Sequence, residues 1–309
     1  MLDFDAIAKK CNLFDETDVE TIISNIVAFD EEYSKEDLVE IYNYILSVSK
    51  NPDILMQVIR LADRFRFKAT LSVLIDLLLM KTESDNVTLN EKYVSVRSMC
   101  AKAIANYKDT DAVTPLLYCL NNKDEHYRVR LACADALGKI GDKYAVAPLI
   151  EVVKDEDEKS VYLRESAASA LGLIGDMRAI DPLVSILETK QGLIDKFTFL
   201  KERVIEALAK LKLDDSDRVF QALKSSLNDE STQVRINAIE ALMESNHPKA
   251  CDAIRACLDD SDEEVRKNAL IALYNMQGRD ILDEVISLPI YVDSLKQEAK
   301  DMIKEYEND

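Results

Sequence analysis

Tyr127-Arg-Val-Arg-Leu-Ala-Cys-Ala-Asp-Ala-Leu-Gly-Lys-Ile-Gly-Asp142, followed by Tyr144-Ala-Val-Ala-Pro148-Leu-Ile150, returns in close variation one repeat later. The second copy is Tyr162-Leu-Arg-Glu-Ser-Ala-Ala-Ser-Ala-Leu-Gly-Leu-Ile-Gly-Asp176, followed by Arg178-Ala-Ile-Asp-Pro182-Leu-Val184. A third, upstream, runs from Val96-Arg97 through Ala103 and Asp109 to Asp111-Ala-Val-Thr-Pro115-Leu-Leu117. The arginines at 97, 130 and 164 lie 33 and 34 apart, and each proline follows its arginine by 18. A fixed period of this length marks a solenoid, in which each repeat buries its apolar face only against its neighbours.

Each copy reads as two antiparallel helices. Helix A spans about 127–140, with Val129, Ala132, Cys133, Ala136, Leu137 and Ile140 at helical spacings of three and four. Gly141 suits a left-handed helix end, and Asp142 suits the cap of the next helix. Helix B spans about 144–154, with Pro148 near its first turn because proline offers no backbone N–H. The register continues through Lys201, Arg235 and Arg266, each with an alanine six residues on, as in the clear copies. Upstream, 16–29, 35–49, 52–64 and 68–81 read as helices, and a last helix spans about 292–306. The pattern gives about seven helical pairs between two end helices. Long connections are expected at 81–90 and 189–198. The organisation is divergent helical repeats over 1–92, clear repeats over 93–188, and degenerate repeats with a capping helix over 189–309, in one continuous solenoid.

Composition limits function. The chain has 309 residues, 48% of them hydrophobic and 31% charged, with six glycines, six prolines and a formal charge of −19. That charge disfavours nucleic acid, whose affinity comes from Lys and Arg displacing counterions, and it disfavours anionic membranes. No secretory leader is legible near the start, and the apolar run around 71–80 is too short to span a bilayer. The expectation is a cytoplasmic protein.

The strings Ala136-Leu-Gly-Lys-Ile-Gly-Asp142 and Ala170-Leu-Gly-Leu-Ile-Gly-Asp176, with their proline-bearing continuations, resemble HEAT repeats. More narrowly, they resemble the short HEAT-like type named after phycobilisome lyases. The resemblance is strong over about 94–188, fair over 199–276 and weak before 92. It implies an all-α, right-handed α-solenoid with helix A convex and helix B concave. It carries over no catalytic residue, because its signature consists of packing positions. Two enzymes of similar fold are disfavoured. Deoxyhypusine hydroxylases hold iron with His-Glu pairs, and neither His126 nor His247 precedes a Glu. HEAT-like DNA glycosylases use tryptophans and a basic face, and this chain has no Trp.

The register absorbs most apparent sites. Cys100 and Cys133 share one small core position, Cys119 and Cys257 another, and Cys251 aligns with Val113, Val146 and Ile180, which leaves only Cys11 unassigned. No metal site or cofactor is expected. His126 reads as solvent-exposed, and His247, next to Pro248, as part of a turn. The arginines read as inter-repeat salt-bridge formers. The acidic turns at 124–125, 155–158, 229–230 and 259–264 read as helix caps in preference to a ridge for a basic partner.

Three places escape the register. One is the variable face of the B helices, at Thr114, Tyr118, Asn121, Glu151, Lys154, Asp181, Ser185 and Glu188. Another is the insertion at 189–199, with Leu193 and Phe197 as candidate docking residues. The third is the set of acidic turns. The reading is a non-enzymatic scaffold that binds a partner protein on its concave face, and the acidic charge allows that partner a basic surface. The alternative is a bilin lyase, lyase subunit or chaperone for a phycobiliprotein.

Overall fold

In a computed structural model describing residues 2–15, 18–81, 85–158, 160–188, 198–211 and 217–306, the chain is built from helices. Eighteen α-helices and four 3-10 turns are present among the described residues, with no strand. The chain forms two compact units, Met1–Val152 and Val153–Asp309. The first holds α1 (Phe4–Lys10), α2 (Val19–Glu32), α3 (Lys35–Val48), α4 (Pro52–Asp63), α5 (Lys68–Leu79), α6 (Val87–Tyr107), α7 (Val113–Asn121) and α8 (Tyr127–Ile140). The boundary falls inside α9 (Val146–Lys154). The second unit continues with α10 (Val161–Ile174), α11 (Ile180–Glu188), α12 (Thr198–Lys210), α13 (Asp217–Ser226), α14 (Thr232–Glu244) and α15 (Ala250–Arg255). It ends with α16 (Glu263–Gln277), α17 (Asp280–Ser287) and α18 (Asp293–Tyr306).

Between the end helices α1 and α18 the even-numbered helices are A helices and the odd-numbered ones B helices. This makes eight pairs, one more than the repeat pattern suggests, because α16 and α17 form a full pair. In the first unit α2, α4, α6 and α8 pack in one row and α3, α5 and α7 in another, and each of these B helices also packs on the next A helix. In the second unit α10, α12, α14 and α16 form the A row, and α11 packs on α13. The connection at 81–90 is shorter than expected, because α6 starts at Val87 and has 21 residues where α8 and α10 have 14. Tyr93 donates its hydroxyl to the Lys50 carbonyl at 2.5 Å and Lys92 pairs with Asp53 at 2.6 Å, which fastens this extension. The expected long connection at 189–198 lies almost wholly outside the described residues.

The clear repeats fold alike because three local devices recur. Asp109, Asp142 and Asp176 each accept a hydrogen bond from the backbone N–H two residues on, at 2.8–3.0 Å, and start a 3-10 turn. Pro115, Pro148 and Pro182 then occupy the third position of α7, α9 and α11. There the helix has no intrahelical partner for an N–H, so proline costs nothing. Gly141 and Gly175 close α8 and α10 with φ of 79° and 72°, and Lys108 takes the same left-handed position after α6 with φ of 51°.

The A rows are spaced by small residues. Ala103, Ala136, Ala170, Ala207, Ala241 and Ala272, each six after the repeat's basic residue, are all at most 4% exposed. The closest described approach is at Gly172, where an added Cβ would stand 2.7 Å from the Ala207 Cα and 3.0 Å from its Cβ. Larger side chains flank this seam: Leu171, Leu200, Val204 and Leu208 are buried beside it. Burying such a side chain stabilises by roughly 1.5–3 kcal/mol.

The repeat arginines bind at the turns. Arg97 holds Glu125 through both terminal nitrogens at 2.6 and 2.8 Å, and Arg235 holds Asp260 at 2.9 and 3.0 Å. Arg130 and Arg164 donate Nε to the carbonyls of Leu120 and Val153, both at 2.9 Å. Arg266 bonds the Asp260 and Ser261 carbonyls. The carboxylate pairing expected of these arginines is present at Arg97 and Arg235. The last carbonyls of a B helix lack intrahelical donors, and a guanidinium fills that need as well as it fills a carboxylate.

His126 is not in solvent. It is half-buried, stacks on Tyr127, and its Nδ1 accepts the Arg128 N–H at 3.2 Å as the cap of α8. Burial, followed by the charge of Arg128, lowers its pKa from the ordinary value, against the opposing pull of Glu91 and Glu125. His247 occupies the expected turn but is buried. Its Nδ1 accepts the Lys249 N–H at 3.3 Å, and its ring stacks on Phe220 at 4.0 Å.

Two expectations follow. Gly172→Ala should lower the unfolding free energy by about 1–3 kcal/mol, the usual effect of overpacking. Urea melts should show Gly172→Ala as the larger loss beside Leu173→Ala, an exposed neighbour, and equal losses would show that the α10–α12 seam yields. The second concerns pH. A folded-state pKa below the unfolded value means that the unfolded chain takes up the proton first as pH falls. The contribution of neutral His126 is therefore complete above the ordinary imidazole value near 6.5 and is lost as pH drops below it. His126→Asn, which keeps a capping acceptor but does not titrate, should show a stability gap to the native chain that changes below that pH and is flat above it. A gap independent of pH would contradict the assignment.

Candidate partner-binding surface

The candidate surface begins with the amphipathic pattern of short B helices. On α7 the core positions Leu116, Leu117 and Leu120 point inward, which leaves Thr114, Tyr118 and Asn121 exposed at helical spacings of four and three. On α11, Leu183 and Val184 are buried, and Asp181, Ser185 and Glu188 form the corresponding exposed strip. Glu151 and Lys154 are exposed on α9, Glu151 in the first unit and Lys154 in the second. Leu193 and Phe197 lie outside the described residues.

The two strips differ in chemistry. Tyr118 is 61% exposed, and α7 packs beside the 3-10 turn Lys143–Ala145, whose Tyr144 is 73% exposed. This places two accessible aromatic side chains on adjoining elements of the first unit. The register gives no hint of Tyr144, because its counterparts are Asp111 and Arg178. In the second unit Arg218 of α13 lies against the α11 strip. Its Nη1 is 2.5 Å from Asp181 and its Nη2 3.9 Å from Glu188. Ser185 donates its hydroxyl to the Pro182 carbonyl of its own helix at 2.7 Å. The register places Arg218 on this strip: it follows Lys201 by 17, as Thr114, Ala147 and Asp181 follow their arginines.

The acidic turns are engaged by the fold itself. Glu125 holds Arg97, Asp229 holds Lys201, Asp260 holds Arg235, and Asp262 caps α16 while accepting the Thr232 hydroxyl at 2.9 Å. A hydrogen bond to Thr232 leads the causes that hold the Asp262 carboxyl below its usual range.

Chemistry by cysteine finds little purchase. All six are free, and five are buried, including Cys11, whose place in the register was open. Cys251 is half-buried, with its Sγ 3.9 Å from the Met276 sulfur. Burial pushes the Cys257 thiol up to about 11, and burial also raises Cys100. Cys119 and Cys133 hydrogen-bond to each other, and that bond together with burial holds the Cys133 thiol protonated. A thiol becomes a nucleophile as an accessible thiolate, and neither member of this pair reaches solvent. Among the described residues no three of His, Cys, Asp and Glu gather to hold a metal ion. No described helix is long and apolar enough to cross a membrane.

No curated protein matches the chain. Among solved structures, the complex of CpcE and CpcF of phycocyanin lyase from Nostoc sp. PCC7120 is 22% identical, with a TM-score of 0.45. That match covers 77% of this chain and 88% of that one. An archaeal HEAT-like repeats protein from Thermococcus onnurineus NA1 is 18% identical with a TM-score of 0.42, covering 72% and 96%. Human deoxyhypusine hydroxylase is 16% identical with a TM-score of 0.36, covering 89% and 96%. Similarity at this level assigns no function. The sequence profile of HEAT repeats matches residues 88–163, 123–198, 192–274 and 220–302, more than half of the chain. With the helix pairs, the alanine seam and the repeated turn chemistry, this places the chain in the HEAT-repeat family.

Proposed function

We propose that the chain is a non-enzymatic scaffold that binds a partner protein through the exposed strips of its B helices. The observation that carries this reading is the pair of accessible tyrosines, Tyr118 and Tyr144, on adjoining elements. Tyrosine offers a large rigid contact area with a polar end, and it is enriched where interfaces concentrate their energy. Thr114, Asn121 and Glu151 supply polar groups to the same unit's contact surface, and Lys154, Asp181, Ser185 and Glu188 serve the second unit. The proposal extends to Leu193 and Phe197 of the insertion. Six free thiols suit a reducing compartment, and we place the protein in the cytoplasm.

The test begins with affinity capture of the partner from native lysate and continues with calorimetry on purified components. Tyr118→Ala and Tyr144→Ala should each weaken binding by about tenfold or more, in the range of interface hot spots. Glu151→Ala and Ser185→Ala should change it by less. Native affinity in both tyrosine variants, with circular dichroism unchanged, would move the interface off α7. A visible absorption band after exposure to a bilin, with no protein captured, would favour the lyase alternative instead.

A further inference from the structure

The A-helix row of the first unit carries a groove distinct from the B-helix strips. Its cavity volume is about 250 Å³, and it runs across α4, α6 and α8. Its floor exists for the reason that the row packs closely. Ala103, Ala132 and Ala136 are small and buried, so neighbouring helices approach without filling the space above them. Ile59 and Met99 complete an apolar base.

The rim carries three cations against two carboxylates, Asp63 and Asp135, and is net positive by one. Each of the three helices contributes one basic side chain: Arg60 from α4, Lys102 from α6 and Lys139 from α8, all exposed. Among the described residues none of the three makes an ion pair; Arg60 contacts only the amide oxygen of Gln57, at 3.5 Å. The rim carboxylates are otherwise engaged. Asp63 accepts both its oxygens' hydrogen bonds from the Asn106 amide at 3.0 Å, and Asp135 also has a partner. In a chain of formal charge −19, three cations without a carboxylate partner among the described residues converge on one concavity.

We infer that this groove docks an acidic peptide segment of a partner protein, with an aliphatic side chain on the alanine floor and flanking carboxylates against Arg60, Lys102 and Lys139. Charge complementarity selects an anionic occupant. The apolar floor selects one that also carries a hydrophobic side chain, which a bare phosphate or a nucleic-acid backbone lacks. The volume is below that usual for a drug-sized ligand or cofactor, about 300–1,000 Å³, and suits a side chain of a longer segment.

The probe is a fluorescein-labelled peptide, Glu-Leu-Glu-Glu-Leu-Glu, titrated with the full chain and followed by fluorescence anisotropy. Binding should weaken by about tenfold in the Lys102→Glu, Lys139→Glu double variant, since two attractions become repulsions. It should also weaken as salt rises from about 50 to about 300 mM, as screening shortens the reach of the rim charges. The same peptide with Gly for Leu should bind more weakly by about tenfold or more, the order expected for one apolar side chain losing its burial. Circular dichroism checks the double variant's fold, and Lys139→Gln serves if that fold is lost. Any one of four results would overturn the proposal: no binding of the Glu-Leu peptide, equal binding by the double variant, equal binding of a Lys-for-Glu peptide, or displacement by equimolar inorganic phosphate. Tyr118→Ala should leave the anisotropy curve unchanged, so failure here and failure of the B-helix interface are read separately.

Discussion

The structure rests on how closely neighbouring A helices approach. At one register position, six after the repeat's basic residue, every A helix from α6 to α16 presents a buried alanine. At Gly172 the neighbouring backbone is near enough that even a methyl group would collide with Ala207. This spacing fixes which faces of the A helices meet. It leaves the larger apolar residues on either side of the seam to reach the B helices, and so sets where both rows lie. A solenoid has no single central core to absorb an error, so each seam must be tight in its own right. The same small residues leave a groove above them wherever the flanking side chains are long and charged, as they are on α4, α6 and α8.

The repeat arginines answer a second demand. Each B helix ends with carbonyls that no helical N–H can reach, and the chain turns there into the next repeat. Arg130 and Arg164 bring a guanidinium to those carbonyls, while Arg97 and Arg235 reach an acidic side chain of a turn. A buried guanidinium is costly unless most of its donors are met, and the position accepts carboxylates and carbonyls alike, although the Nε of Arg97 and of Arg266 has no partner among the described residues. This explains why the acidic turns recur. Glu125, Asp229, Asp260 and Asp262 serve the fold first, and the negative charge of the chain is in part the counterpart of these cations.

Repetition made much of this legible before any coordinate. The bounds of α8, the proline and aspartate positions at the start of α7, α9 and α11, and the small core position of Cys100 and Cys133 all follow from aligning three copies. What the sequence hid lacks a counterpart in the other copies. The N-terminal half of α6 is rich in β-branched and polar residues, and tertiary contacts through Lys92 and Tyr93 hold it as helix despite weak propensity. α17 is obscure in the sequence because its register puts Gly278 at the capping aspartate and Glu284 at the proline. His126 looked exposed because a histidine used as an N-cap acceptor resembles any polar residue ahead of a helix. Tyr144 has only charged counterparts, Asp111 and Arg178, and such a departure from the register is the signal of a position released from packing.

That release bears directly on function. One B-helix position reads Thr114, Ala147, Asp181 and Arg218 in four successive repeats, all exposed and all compatible with the same helix. The scaffold places no demand on the side chain there, so its chemistry is free to serve a partner. In the second unit Asp181 and Arg218 already meet, but both are more than half in solvent or close to it, and exposed pairs contribute about 0–1 kcal/mol. A partner's charged group would exchange that contact for its own at little cost. The strip around Tyr118 carries no such internal pair among the described residues, and desolvating its aromatic surface favours binding without first breaking an interaction. The two strips therefore differ in kind, one an exchangeable charge contact and one an aromatic anchor, and affinity should reside with the second.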